Sequence, residues 1–505
     1  MADTVPDNPS NREMDEKLPS PSQGRPDHLV PPTGVWLKLD VIVLPVVTLM
    51  FFLSSLDRGN IGNANIAGLA HDLKITPAQY SIALTVTLIP YSFFNFVTNL
   101  LMKITGPRRL LPTLAVLWGL TTPPGVVSTY GGLLACRFFI GTFEGGLLPG
   151  ISLYLASFYP RAKLQLRASI LFSATSFASA FSGLLAAAII KMDGVGGRPG
   201  WAWLFILEGC FTVLFGLASY FLLPNSPISV PLLTEAEKAY VVRTLHKDGI
   251  ILVHEEDKRY TFAEIRRTFT RPHVLLVAAA AFFNGATVGA LGYFLPLIIV
   301  GLGWSGSKAQ LMSVPPFAAA AALSVLSSYL SDHFRQRGLT MIFFALMATA
   351  GFAVFLASFD NTVRYGSLFL VVPGGFGIGP PLGTWVANNA APLARRATAI
   401  AFTVTMTNLG ALLVVWLFGT LSPAPRYESA TAAMLAFQLA TALCAACNLG
   451  WLARENRRRA GVRAERGEKA ARRARTGTGT GGTSWCLGTR TRGSVTVDDK
   501  FTRSF

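Results

Sequence analysis

The stretch LLACRFFIGTFEGGLLPGISLYLASFYP, residues 133–160, is apolar and long enough to cross a bilayer, yet Arg137 and Glu144 sit inside it. An ionised side chain at mid-bilayer depth costs roughly 2.5–3.5 kcal/mol, so neither residue belongs against lipid. Both are expected to face protein or a watery cavity. A spacing of about two helical turns puts them on nearly one face, about 10 Å apart along the axis. Their side chains both lean toward the helix N-terminus, which argues against a direct ion pair and leaves space for water, a neighbouring helix or a ligand. Gly141 with Gly145, and Gly146 with Gly150, are small-xxx-small pairs that let another backbone approach. The stretch reads as a buried, tightly packed helix.

The remainder of the chain has the same character. Of 505 residues, 51% are hydrophobic and 14% charged, and the mean hydropathy is +0.44, which excludes an ordinary soluble domain. The formal charge of +17 does not mark nucleic-acid binding, because residues 454–505 hold fourteen Lys and Arg against five Asp and Glu, about half of the excess. The five Cys are scattered, four of them in apolar runs, and give no disulfide framework. Cys444 and Cys447 form a C-x-x-C with no second pair and read as small packing residues, so no metal site is expected.

Residues 1–37, rich in Pro, Asp, Asn and Ser, are expected to be a disordered cytoplasmic tail with no cleavable signal peptide. Apolar segments recur at about 38–56, 79–101, 110–128, 133–158, 168–190 and 201–223, an N-terminal six-helix bundle over 38–223. The polar stretch 224–272 carries two capping-box patterns, Thr234 with Glu237 and Thr261 with Glu264, and so short soluble helices. Segments at about 273–300, 309–331, 339–358, 365–389, 397–420 and 429–452 give a second bundle over 273–453, followed by a basic disordered tail over 454–505. The expected fold is an all-α polytopic membrane protein with twelve transmembrane helices in two six-helix bundles.

Lys103, Arg108, Arg109, Arg161, Lys163, Arg167, Arg335, Arg337, Arg395 and Arg396 fall in short loops on one side, which assigns that side and both termini to the cytoplasm. The opposite loops carry Arg58, Lys74, Lys191, Arg198, Lys308, Arg364 and Arg426, so the bias is modest. The tail reads as a solvated topological anchor that can also touch anionic lipid.

Asp57, Arg58, Asn60 and Asn63 cluster in SSLDRGNIGNANIAG, residues 54–68, where the first span is expected to leave the membrane. They suit either a capped helix end or an external gate, and Arg58 would attract anions. Asn95 and Asn99 share a face of the second span, and Asn408 and Gln438 have the same interhelical hydrogen-bonding character. Glu208 in WAWLFILEGC suits a proton carrier or a partner for Arg198. Asn284, Tyr293 and Pro296 make the seventh span polar and breakable, as at transporter midplane sites, although Tyr293 also suits an interface anchor. SDHFRQRG, residues 331–338, places Asp332, Arg335 and Arg337 where a charge clamp between helices would gate rocking, or where helix-end charges would sit in any case. GGFGIGPPLGTWVANN, residues 374–389, fits no G-x-G-x-x-G register and follows no strand. It reads as close packing, with Trp385, Asn388 and Asn389 as cavity candidates.

The six-loop-six layout and the loop after the eighth span resemble the major facilitator superfamily. LDRGNIGNANIAG, RFFIGTFEGGLLPG, WAWLFILEG, LPNSP, LTEAEK, FLPLIIVGLGWS and SVPPF resemble its anion:cation symporter branch, specifically the fungal allantoate permease family. Trp385, Asn388 and Asn408 stand where that family has recurrent Trp and Asn. The resemblance spans roughly residues 36–459 and implies a two-lobed carrier at the fungal plasma membrane. It would take up an organic anion, such as a carboxylate vitamin or ureide, with protons and no cofactor, as a monomer. It further implies anion binding by Arg137 and proton coupling by Glu144. One departure is NLLMKITGPRRL after the second span, which lacks the Asp of the general superfamily motif. With no HExxH, no G-x-S-x-G and no metal-spaced cluster, an enzyme is not expected. The competing expectations are an organic anion exporter or uniporter, and a nutrient receptor that signals through its tail without flux.

Overall fold

Prolines and capping side chains set most of the helix starts. A computed structural model describes residues 34–122, 129–247, 266, 268–334, 336–389, 393–422 and 426–476. In the first half lie α1 (Val35–Ala64), α2 (Pro77–Thr105), α3 (Pro107–Thr121), α4 (Tyr130–Glu144), α5 (Leu147–Phe158), α6 (Arg161–Ile189) and α7 (Gly200–Leu222). A short helix α8 (Glu235–Lys247) follows in the central loop. The second half holds α9 (Pro272–Gly301), α10 (Gly306–Phe334), α11 (Arg337–Ala357), α12 (Asn361–Gly377), α13 (Gly379–Asn389), α14 (Leu393–Trp416) and α15 (Glu428–Thr476). Thr76 and Gln79 form a capping box ahead of Pro77, and the Asp360 side chain accepts from the Thr362 N–H at the start of α12.

Two spans are interrupted by the same device. Pro149 and Pro381 have no N–H to offer the carbonyl four residues back, and α4 and α12 accordingly end before Gly145 and at Gly377. The carbonyl freed at Gly377 accepts from Ser327 Oγ at 3.1 Å. Counting α4 with α5 as the fourth span and α12 with α13 as the tenth, each half pairs its helices alike. The first span packs on the fifth, the second on the fourth and the third on the sixth, and the same scheme recurs from the seventh span onward. The fold is therefore two all-helical lobes of one repeated design. Among the described residues ten helical segments are long and apolar enough to cross a membrane. The other two expected spans are α2, of 29 residues, and α3, whose 15 residues end before a stretch outside the described ones.

The lobes meet through α6 on α10, α2 on α14 and α1 on α9. At the end of the bundle opposite the chain termini the seam is sealed by aromatic rings. Phe294 lies edge-on to Tyr80 at 6.5 Å and stacked on Phe418 at 5.4 Å, while Ser81 Oγ donates to the Val415 carbonyl at 3.2 Å.

Two boundaries differ from expectation. The first span does not end near residue 56 but continues α-helical to Ala64 and on through a π-helical turn, kinked at Gly68 (φ 107°), to Asp72. Asp57 and Arg58 are thus near its middle and not at its exit. The last helix continues to Thr476, so the basic stretch from Arg454 to Thr476 is helical where a disordered tail was expected. Residues 1–33 and 477–505, and the Thr261 to Glu264 pattern, lie outside the described residues.

The central loop is fastened to the first lobe. Thr234 and Glu237 form the expected capping box, and Glu237 also takes Lys38 Nζ from the start of α1 at 2.8 Å. Trp36 lies between Tyr159 and Tyr240, and Leu233, Val241 and Leu245 join the core of Val35, Leu39 and Tyr154. The Lys38 amine, helped by the Thr234 N–H, holds the Glu237 carboxyl below the usual carboxylate range. A depressed value in the folded state stabilises the docked helix above the ordinary carboxylate pKa and is lost as pH falls through the depressed one. Acidification through that range is expected to lower the hydrogen-exchange protection factors over 235–247, with rates corrected for the intrinsic pH dependence of amide exchange. Glu237→Gln should show the lower protection already at neutral pH, with no further loss on acidification.

Candidate functional site

The interruption of the fourth span brings α4 hard against α2. A Cβ on Gly141 would fall 2.1 Å from the Thr87 carbonyl oxygen, and one on Gly145 2.3 Å from that of Tyr91. Only glycine allows this approach, and it carries Arg137 and Glu144 toward α1. A cavity of about 10 Å³ results, room for roughly one water. Asp57, Arg58, Thr87, Arg137 and Glu144 line it from the first lobe, and Tyr293 closes it from the second.

Glu144 is 1% exposed and accepts a short hydrogen bond from Ser54 Oγ. Its cation is Arg58, whose Nε lies 3.3 Å away, and that guanidinium also reaches the Ser54 carbonyl at 3.3 Å and stands over the Tyr91 ring. Arg137 is 2% exposed and rests over the Phe205 ring at 5.3 Å, and its Nε and Nη2 have no hydrogen-bond partner. Asp57 takes Trp118 Nε1 on one oxygen at 3.1 Å and has no partner on the other. Glu208 accepts from Asn60 Nδ2, again with one oxygen unpartnered. Three carboxylates and two guanidinia thus share the interior of one lobe.

Arg137 and Glu144 do not pair with each other, as the lean of their side chains suggested. Asp57 is a buried member of the central cluster, which corrects its placement as an outer gate. Arg58 likewise leaves the outer loops and joins the centre. Asn284 does not line this cavity. It lies nine residues before Tyr293, half a turn out of phase, and accepts from Gln438 Nε2 at 3.2 Å inside the second lobe, where the same Nε2 reaches Thr287 at 2.7 Å. Trp385 is corrected too: it is fully buried beside Gly338 and His273 in that lobe's core. Asn408 is half-buried and does not line the cavity. Of the gating set, Arg337 is buried at the start of α11, Arg335 lies outside the described residues, and the Asp332 and Asn388 side chains are outside them as well. Sequence reasoning missed Ser54, Tyr91 and Trp118. Ser54 was legible one turn before Arg58; Trp118, on another helix, had no local signal.

The repeated six-helix lobe and the charged cavity at the lobe seam define a two-lobed transporter of the membrane, not an enzyme. The chain belongs to the Major Facilitator Superfamily, whose family model matches residues 47–415. It is 34% identical over 379 residues to the transporter C1002.16c of Schizosaccharomyces pombe, covering 74% of this chain and 75% of that one. It is 31% identical over 441 residues to the MFS-type transporter efuF of Hormonema carpetanum, covering 86% and 88%. The fold matches that of the proton:xylose symporter XylE with a TM-score of 0.61 at 16% identity, over 80% of this chain and 95% of that one.

Trp118→Phe keeps an aromatic ring and removes the indole N–H that donates to Asp57 at 3.1 Å. Losing that hydrogen bond to a buried oxygen is expected to cost about 1–3 kcal/mol, read as a lower melting temperature of the protein in detergent.

Proposed function

We propose that this transporter carries a small organic anion, a carboxylate such as a vitamin or ureide, into the cell together with a proton. The observation that carries the reading is Arg137, a buried guanidinium lining the cavity with two N–H-bearing nitrogens that meet no acceptor. A guanidinium presents parallel donors to a carboxylate, and it is stabilised there when water is excluded.

Coupling follows from charge. Asp57, Glu144 and Glu208, when ionised, outnumber Arg58 and Arg137 by one, so an entering anion adds a second uncompensated negative charge beside a cavity with little room for solvating water. A proton taken up with the anion offsets it. Glu144 is the acceptor on the cavity wall. Its protonation weakens the hold on Arg58, so that Arg58 and Arg137 both turn to the carboxylate. Tyr293 then closes from the second lobe, and rocking of the lobes exposes the site to the cytoplasm, where the proton leaves. The lobes and not a cofactor do this work, the proton gradient drives it, and a monomer suffices. The termini and central loop are assigned to the cytoplasmic side of the plasma membrane, and the relatives that share the lobes come from fungi.

Proteoliposomes that are acid outside and neutral inside, offered a panel of labelled monocarboxylates and ureides, test this. Accumulation is expected to fall at least tenfold in Arg137→Ala. Glu144→Gln should keep anion exchange but lose accumulation against a gradient. Unchanged uptake and pH dependence in Arg137→Ala would overturn the mechanism, and flux favoured by the reversed gradient would make the protein an exporter.

A further inference from the structure

Glu208 lies off the cavity wall and enters the anion step only through the charge balance, with no contact to the carboxylate. It accepts from Asn60 Nδ2; Ser182 Oγ donates to Asn60 Oδ1 at 2.7 Å; and Asn63 Nδ2 donates to the same Ser182 Oγ at 2.8 Å. The Asn63 carbonyl in turn accepts from Gln310 Nε2 at 3.4 Å, and Gln310 belongs to α10 of the other lobe. The chain runs α7 to α1 to α6, back to α1, and ends on the second lobe. It emerges at a second cavity of about 10 Å³, lined by Asn63, Ser179, Ser182, Gly292 and Ser313. There α6 and α10 are in close contact, since a Cβ on Gly183 would stand 2.7 Å from Ser313 Oγ and 3.0 Å from the Gln310 carbonyl.

The Asn60, Ser182 and Asn63 side chains can each reverse their hydrogen bonds, whereas the Asn63 backbone carbonyl at the Gln310 end only accepts. Amides carry a donor and an acceptor, and a hydroxyl is both. As drawn, all the bonds point toward Glu208, which needs that oxygen to accept. If Glu208 Oε2 gains a proton it becomes a donor, and Asn60 must turn its carbonyl to it and its amide N–H to Ser182. Ser182 then loses its acceptor on Asn60 and directs its O–H to Asn63 Oδ1, which is buried and has no partner in the present arrangement. The change arrives at the residue whose backbone holds Gln310.

We propose that Glu208 is a positioning residue that reports protonation to the lobe seam, by reversing the hydrogen bonds through Asn60, Ser182 and Asn63 and so altering the hold of α1 on Gln310. This rests on the proton-coupled reading but not on the identity of the anion. The charged groups acting on Glu208 are Asp57 from α1 and Arg137 and Glu144 from α4. No cation lies within ion-pair distance of it among the described residues, so its protonation is not held by a salt bridge.

The test reads lobe movement without substrate. Spin labels replace Lys74, after α1, and Lys308, at the start of α10, both exposed and on opposite lobes at the end away from the termini, in a full-length chain with its five Cys replaced. In lipid nanodiscs the distance distribution of this otherwise native chain is expected to shift between acid and alkaline buffer. Glu208→Gln, which offers a donor and an acceptor as the protonated acid does, should hold the acid distribution at every pH. Ser182→Ala, which cuts the chain while leaving Glu208 in place, should abolish the shift. No shift in the otherwise native chain, a full shift in Glu208→Gln, or a full shift in Ser182→Ala would each overturn the proposal. Failure of every anion in the uptake panel would count against the proposed substrate class and leave this measurement standing.

Discussion

The contact on which the rest depends is Arg58 with Glu144. It joins the first span to the fourth at the wall of a cavity with room for about one water, and it occupies the carboxylate that would otherwise compete for Arg137. A buried pair of this kind gives little net stability, because desolvation consumes most of the attraction. What it gives is arrangement. Ser54 fixes the carboxylate from the same helix turn as Arg58, Tyr91 lies under the guanidinium, and Arg137 is left with open donors. The glycines at 141 and 145 serve that contact, since a single methyl at either would drive α4 from α2 and pull Glu144 away from Arg58.

The architecture was legible because it follows from burial. Apolar runs of spanning length located the lobes, and the cost of a charge in lipid was enough to turn Arg137 and Glu144 inward. The same reasoning fails at Asp57 and Arg58, because hydropathy falls there and mimics a membrane boundary. The helix in fact continues without a breaker for another turn and more before the π-helical turn at Asn65–Leu69. Ser54, Asp57, Asn60 and Ile61 recur at helical spacing and are all buried. Periodicity across the polar stretch, rather than its mean hydropathy, was the signal that would have placed them at the centre.

Other residues were unreadable for a different reason. Asn284 and Tyr293 lie on one helix, and only the choice of neighbours decides which of two opposite faces meets the other lobe. Trp385 is aromatic in a Gly-rich segment, which suits a cavity as well as a core. Its position is settled by Gly338 and His273 from other helices. Long-range partners of this sort leave no trace in local spacing.

The lobes share a pairing scheme and even the proline device that interrupts their fourth helices, but they do not share charge. The site's ionisable cluster, buried Asp57, Arg137, Glu144 and Glu208 with half-buried Arg58, is in the first lobe, whereas the second offers the neutral set Asn284, Thr287 and Gln438, which bond to one another. Duplication supplies two bundles able to rock; divergence concentrates the electrostatics in one of them. A charged cluster on one side of the seam, facing neutral residues on the other, can change its protonation without breaking ion pairs across it among the described residues. The seam itself is rings, hydroxyls and close glycines, including Gly62 against the Tyr293 carbonyl and Ser81 against Val415. Such contacts are individually weak and have no charge to strand when they part, which is what a surface that must open in every cycle requires.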